Sequence, residues 1–414
     1  MAIFRNIPVL PTGMAYRTTY DGGPVWPDWD NQGKARHCRA GKPMPIRPPD
    51  VPAKLEYVDE AFIWGGQVHR NFGHQIAEYS TRVLQSLRDR PDDRLLFSLW
   101  PGASVKNIPA HFHAVMDWYG VPGERIKFVT APFRAREVRV AAQPEQLGGP
   151  GPEQWFLDLQ SENTRRRGLA PATASTVYVS RAGLLTKLKS SWLGESYLAE
   201  LLDKTGVRVI SPEQETLPTQ LAHYAGAKTL VFAEGSAAHG RQLLGYHDQR
   251  IAVLVRRPGA RIARQNLASR CRDLDYFEVT KCQIGMVQRD GTPENNEGLS
   301  VYDVPVLLDV WKRLGVDLGG QWDADAFQER CENDLVAWVK RSFDPNRQRS
   351  GAFDWGASLD RVRRDMEQAG FASLMPRVKP FLVRKVAPVP FGQRLRKVSG
   401  RAKRGVIRTF RART

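Results

Sequence analysis

Three clusters of side chains in this 414-residue sequence have types and spacing suited to chemistry. The first is NFGHQIAEYSTRVL at 71–84. His74, Glu78 and Arg82 recur at four-residue intervals, so on a helix over 74–88 they share one face, roughly opposite an apolar stripe of Ile76, Tyr79, Val83 and Leu87. A histidine at a helix start is suited to act as a general base near neutral pH, with Glu78 orienting it or taking the role itself. The same spacing also describes a solvated face with one Glu–Arg pair, and Asn71 suits a capping position. The second cluster is VYVSR, where Ser180 and Arg181 end an apolar run and Lys187 and Lys189 follow in a basic loop. An arginine at the carboxyl end of a strand in an α/β sheet is placed to grip a phosphate. The third is AEGSAAHG, directly after TLVFA. Gly235 and Ser236 permit a ligand close to the backbone, and a helix from about Ala237 offers its N-terminal N–H groups to an anion. Glu234 would repel such an anion and is expected to turn away from it, toward a ligand hydroxyl, while His239 falls further along the turn.

Other combinations carry less. His111 and His113 are two apart on a helix-like stretch and point to different sides, which does not make a metal pair. His223 reads as structural, and Trp64 and Trp100, near strand ends, read first as packing and second as stacking platforms. DLDYFE and DADAF contain spaced carboxylates, but neither sits where a strand-end metal pair is needed, and the second reads as a helix cap. Cys38, Cys271, Cys282 and Cys331 form no C-x-x-C pair, so reduced thiols are expected, with neither a zinc knuckle nor a disulfide framework.

The elements that must position these groups alternate. AFIWGG, RLLFSLW, IKFVT and EVRVAA read as strands, with helices over HQIAEYSTRVLQSLRDR and IPAHFHAVMDWYG between them. A second series begins at 176: strands TVYVS, VRVIS, TLVFA and RIAVLVRR, with helices SYLAELLDKTG and PTQLAHYAGA. Alternation with short connections predicts an α/β chain with two Rossmann-like, doubly wound lobes facing a cleft, the architecture called GT-B. The expected divisions are an irregular N-terminal arm over 1–56, a first lobe over 57–150, a Gly- and Pro-rich linker over 151–175, a second lobe over 176–300, a helical extension over 301–376 and a basic tail over 377–414.

The net charge of +17 points to anionic partners. No acidic residue follows Glu367, and Phe391, Leu395, Val398, Val406, Ile407 and Phe410 interleave the basic tail, a pattern that favours contact with a membrane surface over a pure polycation. A recognisable nucleic-acid module is lacking, so nucleic acid is a disfavoured partner, although a non-catalytic anion-binding protein is the alternative that the charge alone suggests. No window resembles a membrane-spanning helix or a signal peptide, and a cytoplasmic protein is the default expectation.

Two stretches together resemble glycosyltransferase family 61. Asn71, Phe72, His74, Glu78 and Arg82 match that family's Asn-aromatic-x-His…Glu…Arg pattern. Ser180-Arg181, the strand VRVISPEQ, the Leu-x-x-Gln helix entry with Gln220, and the small-residue turn AEGSAAHG follow its second half in order. The loop after Arg181 departs from the family pattern, with Lys187 and Lys189 as its basic groups and Glu195 in the position of a helix-start glutamate, and Glu234 stands where a histidine often precedes the glycine. The resemblance implies an inverting transfer of a sugar from a nucleotide-sugar donor to a glycan or lipid-linked acceptor in cell-surface polysaccharide synthesis. It implies no required metal or other cofactor, catalysis by His74 or Glu78, supporting roles for Asn71, Arg82 and Gln220, and a donor site formed by Ser180, Arg181, Lys187, Lys189, Glu234, Gly235, Ser236, Ala237 and His239. It places the work at the inner face of a membrane, with Glu234 facing a ribose or sugar hydroxyl.

Overall fold

In a computed structural model of the chain, residues 1–14, 21–100, 103–294, 296–348 and 352–382 are described. The strands in chain order are β1 (Ala2–Leu10), β2 (Gly23–Pro24), β3 (His37–Arg39), β4 (Lys42–Met44), β5 (Glu56–Gln67), β6 (Arg94–Ser98), β7 (Ile126–Val129), β8 (Phe133–Val140), β9 (Thr176–Val179), β10 (Ser191–Trp192), β11 (Arg208–Ile210), β12 (Thr229–Ala233), β13 (Arg250–Val255), β14 (Asp273–Glu278), β15 (Thr280–Ile284) and β16 (Leu299–Tyr302). The chain is mixed α/β.

The first main sheet runs β2-β1-β8-β5-β6-β7. Its β8-β5-β6-β7 core is parallel, and β1 is antiparallel to β8 from Ala2↔Val140 to Val9↔Phe133. The segment read as an irregular arm over 1–56 is therefore a correction: it opens with a long sheet strand. Its Pro, Gly and Trp residues hide this because β1 pairs with a distant strand, and no local period announces that. Residues 130–132 alone carry the chain from edge strand β7 to β8 on the far side of β5, and the Lys127 ammonium lies 5.3 Å and 5.2 Å from the Phe62 and Phe133 rings. Such a connection closes because the sheet is curled. Register shifts in β5 between Val58 and Ala61 and between Trp64 and Gly66 add the local bending that bulges give.

Strand alternation sorts side chains to the two faces. Ile63, Leu95 and Phe97 join the main core, whereas Phe62, Trp64 and Leu96 pack with Ile7, Val9 and Trp26 from the N-terminal segment. Each such fully buried aliphatic or aromatic side chain contributes roughly 1.5–3 kcal/mol.

The second main sheet, β11-β9-β12-β13-β14, is wholly parallel. The chain starts at β9, moves out to β11, then returns past β9 to β12, so the order reverses between β9 and β12. Ligands of parallel α/β sheets bind outside the carboxyl ends of the strands at such a reversal. Helices Glu195–Lys204 and Leu217–Gly226 make the crossovers. DLDYFE, with no firm assignment from sequence, is edge strand β14. The expected linker over 151–175 is a further correction, because it contains the helix Gln154–Arg166, whose Phe156 and Leu159 enter the core shared with Phe97, Val177 and Phe232. Its flanking Gly and Pro residues punctuate the ends and leave the apolar spacing inside intact.

The chain divides into two compact units, 1–283 with 299–331, and 284–298 with 332–414. The first holds both main sheets. In the second, Ser358 Oγ accepts from the Val287 N–H at 2.9 Å, Trp338 Nε1 donates to the Glu297 carbonyl at 2.7 Å, and the helix Trp355–Ala369 is capped by Asp354. Helices over 304–313 and 324–342 follow the sequence expectation. Of the basic segment 377–414, the residues from 383 onward, with all six interleaved hydrophobics, lie outside the described residues.

Candidate active site

The first cluster sits just past the carboxyl end of β5. Gly66 has φ 137°, and a side chain there would bring Cβ within 2.1 Å of the Tyr79 carbonyl, so glycine lets the following segment fold back onto the strand. Asn71 caps that segment, its Oδ1 accepting from the His74 N–H at 3.3 Å. The expected single helix over 74–88 is replaced by one α-turn (Phe72–His74), a π-helix (Gln75–Tyr79), a break at 80–82, and the helix Val83–Asp89. Buried Gln75 ties this together, donating to the Gln67 carbonyl and to Ser80 Oγ while accepting from the His69 N–H. Wide π turns concentrate at functional sites.

His74 and Glu78 do meet: His74 Nδ1 is hydrogen-bonded to Glu78 Oε2. The His74 side chain is 33% exposed and that of Glu78 fully buried, so the imidazole is the accessible member. Glu78 Oε1 lies 3.6 Å from both His37 Nε2 and Arg39 Nη1, which β3 supplies. Burial alone would push the Glu78 carboxyl up, but hydrogen bonding to His37 and His74 and the nearby Arg39 charge bring it down to about 2. A carboxylate held that low is a poor proton acceptor and a good orienter. Burial lowers His37, so it faces Glu78 as a neutral ring. Tyr79 stacks on both His37 and His69, with centroids 4.9 Å and 5.3 Å away, and the His69 ring is 4.8 Å from that of His74.

Arg82 does not share an exposed face with this pair. It is buried, donates to the Arg36 carbonyl at 2.5 Å, and is lowered to about 10 by burial. The break at 80–82 rotates it away from the spacing that a continuous helix would keep. A cavity of about 30 Å³, lined by Trp26, Trp29, Trp64, Glu78, Tyr79 and Arg82, adjoins the pair, with room for a water or two and not for a sugar.

The second and third clusters lie at the β9/β12 reversal. Ser180 Oγ donates to Glu195 Oε1 at 3.0 Å, as do Tyr178 Oη at 2.9 Å and the Arg181 N–H at 2.6 Å. Ser180 therefore secures Glu195, whose carboxyl burial pushes up, and is not presented to a ligand. Arg181 Nη2 donates to the Ser190 carbonyl at 2.8 Å, and its guanidinium covers Gly235 so closely that an added Cβ would stand 1.8 Å from Nη1. Gly235 is extended (φ 172°), so its lack of a side chain serves this contact and not a turn. Lys187 and Lys189 are exposed on the following loop.

Ser236, Ala237 and His239 belong to a 3₁₀ helix, Ser236–Leu243, in place of a helix starting at Ala237. Glu234 turns away as expected, yet toward no open site. It is buried, and its oxygens accept the N–H groups of Arg256 and Arg257 at 2.8 Å and Arg257 Nε at 2.6 Å. Its place as the first residue past β12 aims it at the end of β13. Gln220 is likewise internal, donating to the Pro212 and Glu215 carbonyls at 2.8 Å and 3.0 Å. His239 is buried and accepts from Gln242 Nε2 at 2.9 Å, and burial lowers it to about 4.

The clusters from the two sheets adjoin. Ser236 Oγ donates to Asn71 Oδ1 at 3.4 Å, and a Cβ on Gly73 would lie 2.6 Å from His239 Cδ2. The segment that carries His74 and Glu78 and the turn that carries Gly235 and Ser236 are thus neighbours across this contact.

Four contributors escape sequence reasoning. His37 and Arg39 lie in the basic run KARHCRA, with nothing local to place them against Glu78, and His69 shows no period. Arg256 is the first arginine of VLVRR, where an arginine pair at a strand's carboxyl end is the one usable signal. Among the described residues, no group of three or more His, Cys, Asp or Glu side chains could hold a metal ion, and no helix is long and apolar enough to cross a membrane. No protein-family model matches the chain, and neither does any curated protein.

Proposed function

We propose that this chain is an inverting glycosyltransferase of the family 61 kind, with GT-B-like lobes, moving a sugar from a nucleotide-sugar donor to a glycan or lipid-linked acceptor. The observation that carries the reading is the adjacency of a half-buried histidine, oriented by a buried ionised carboxylate, to an arginine-covered turn at a parallel-sheet reversal. In the reaction, His74 takes the acceptor hydroxyl proton on its ring nitrogen remote from Glu78. The acceptor oxygen bonds to the anomeric carbon as the bond from that carbon to the diphosphate oxygen breaks, which inverts the centre. Arg181, with Lys187 and Lys189, receives the charge that builds on the departing diphosphate. The reading needs no metal cofactor. Work at the cytoplasmic face of a membrane, with 377–414 on the lipid surface, belongs to the same proposal and predicts sedimentation with anionic vesicles that is lost on deleting 383–414.

The test is turnover by purified protein against a panel of nucleotide sugars and glycan acceptors, with the product's anomeric configuration read by NMR. One donor converted with inversion, and that conversion lost in His74→Ala, is expected. Absence of transfer together with salt-steep binding to generic nucleic acid would replace the reading with that of a non-catalytic anion-binding protein.

A further inference from the structure

Arg256 follows the last residue of β13, and its guanidinium is buried, with 4% of the residue exposed. Its backbone is fully engaged: the N–H donates to Glu234, and the carbonyl accepts from Thr280 Oγ1, Gln283 Nε2 and Ser300 Oγ. Its side chain is not. Nε is buried without a hydrogen-bond partner, and so is Nε of Arg181. The charges bearing on Arg256 are Arg181 first, then Glu234, Arg257 and Glu195. Neither carboxylate is hydrogen-bonded to its side chain: Glu234 is held by Arg257 and two backbone N–H groups and Glu195 Oε1 by Tyr178, Ser180 and the Arg181 N–H, while Glu195 Oε2 is itself buried without a hydrogen-bond partner. A buried guanidinium beside a second one, with no carboxylate hydrogen-bonded to its side chain, is costly in the absence of an anion.

We infer that Arg256 is the second guanidinium of the donor seat, pairing with Arg181 to hold the diphosphate of the nucleotide. This rests on the transferase reading of the crevice and assigns it a residue that reading did not contain. Two guanidiniums at the carboxyl ends of β9 and β13, with Arg181 laid over the bare Gly235 that follows the intervening β12, match two linked phosphates. Preference for a diphosphate over a monophosphate follows.

Calorimetric titration of the full chain with inorganic pyrophosphate, inorganic phosphate and nucleoside mono- and diphosphates tests this, alongside the melting temperature of each unliganded variant. Arg256→Gln is expected to weaken pyrophosphate and diphosphate binding by at least about tenfold while leaving unliganded melting unchanged or raised, since an unpaired buried charge is removed. Wild-type diphosphate affinity in Arg256→Gln, or lower melting with affinity intact, overturns the inference and leaves the transferase reading standing. No response of the wild-type chain to any diphosphate overturns both. Should Arg256→Gln fail to fold, Arg256→Lys decides: a several-fold loss supports the inference and unchanged affinity overturns it.

Discussion

The Arg181 guanidinium lies over Gly235, with Nη1 occupying the space a β-carbon would need. The two residues follow strands β9 and β12, neighbours in the parallel sheet, so the contact is fixed by the sheet itself. Gly235→Ala is expected to displace Arg181 and weaken donor binding by about tenfold or more, with the extended backbone at 235 tolerating alanine and the far-ultraviolet spectrum unchanged. Unaltered nucleotide affinity in a folded Gly235→Ala protein would show that Arg181 does not bind the donor.

His74 and Glu78 divide base and orienter between them. His74→Ala is expected to lower kcat by about 10²–10⁴ with a small change in donor KM, because the proton acceptor is lost and the anion seat is kept. Glu78→Gln keeps a hydrogen-bonding group of the same size and should fall less far. If steady-state kinetics gave the larger loss in Glu78→Gln, the carboxylate would be the base.

The same carboxylate has a signature in acid stability. Held at about 2 in the fold against an ordinary 4.5, Glu78 contributes stability that is present above pH 4.5 and lost as pH falls toward 2. The difference corresponds to roughly 3 kcal/mol. Chemical denaturation at a series of pH values should show this loss in the wild-type chain and a flatter profile over that window in Glu78→Gln. Parallel profiles would mean that Glu78 is not ionised in the fold.

His239 acts in the adjoining window. Its folded value of about 4 lies below its ordinary 6.5, so its contribution is present above pH 6.5 and lost as pH falls toward 4, again roughly 3 kcal/mol. Protonation would put a charge against Gly73, where the two clusters touch. His239→Gln should flatten the melting profile between pH 6.5 and 4, and an unchanged slope there would assign the acid sensitivity to other histidines such as the half-buried His247.

The parallel sheets were legible in the sequence because their strands are short apolar runs separated by helix-period segments, and β9, β12 and β13 fall on TVYVS, TLVFA and RIAVLVRR. The pairing of His74 with Glu78 was legible because four-residue spacing survives the π turn, whereas the position of Arg82 was not, because it lies beyond the break at 80–82. Ser180, Glu234 and Gln220 illustrate a different gap. Their positions at strand ends and a helix entry were correctly located, but whether a polar side chain faces a ligand or a neighbouring backbone depends on partners distant in sequence, Glu195 and Arg257 among them. The roles of His37 and Arg39 depend on anchors distant in sequence, the Cys38 and Gly41 N–H groups donating to Gln143 and Gln146, which no local pattern encodes.

The pairing of β1 with β8 also sets a timetable. Residues 2–10 are made first, yet the strand they join, 133–140, is made only after β5, β6 and β7. The opening strand waits with an unfilled ladder while the middle of the sheet forms, and the loop closed at the end is long. His37 and Arg39 travel on the waiting segment. The β3–β4 ribbon is held through the Cys38 and Gly41 N–H groups by Gln143 and Gln146, beyond β8, so a chain that ends before residue 133 lacks the residues that anchor His37 and Arg39 beside Glu78.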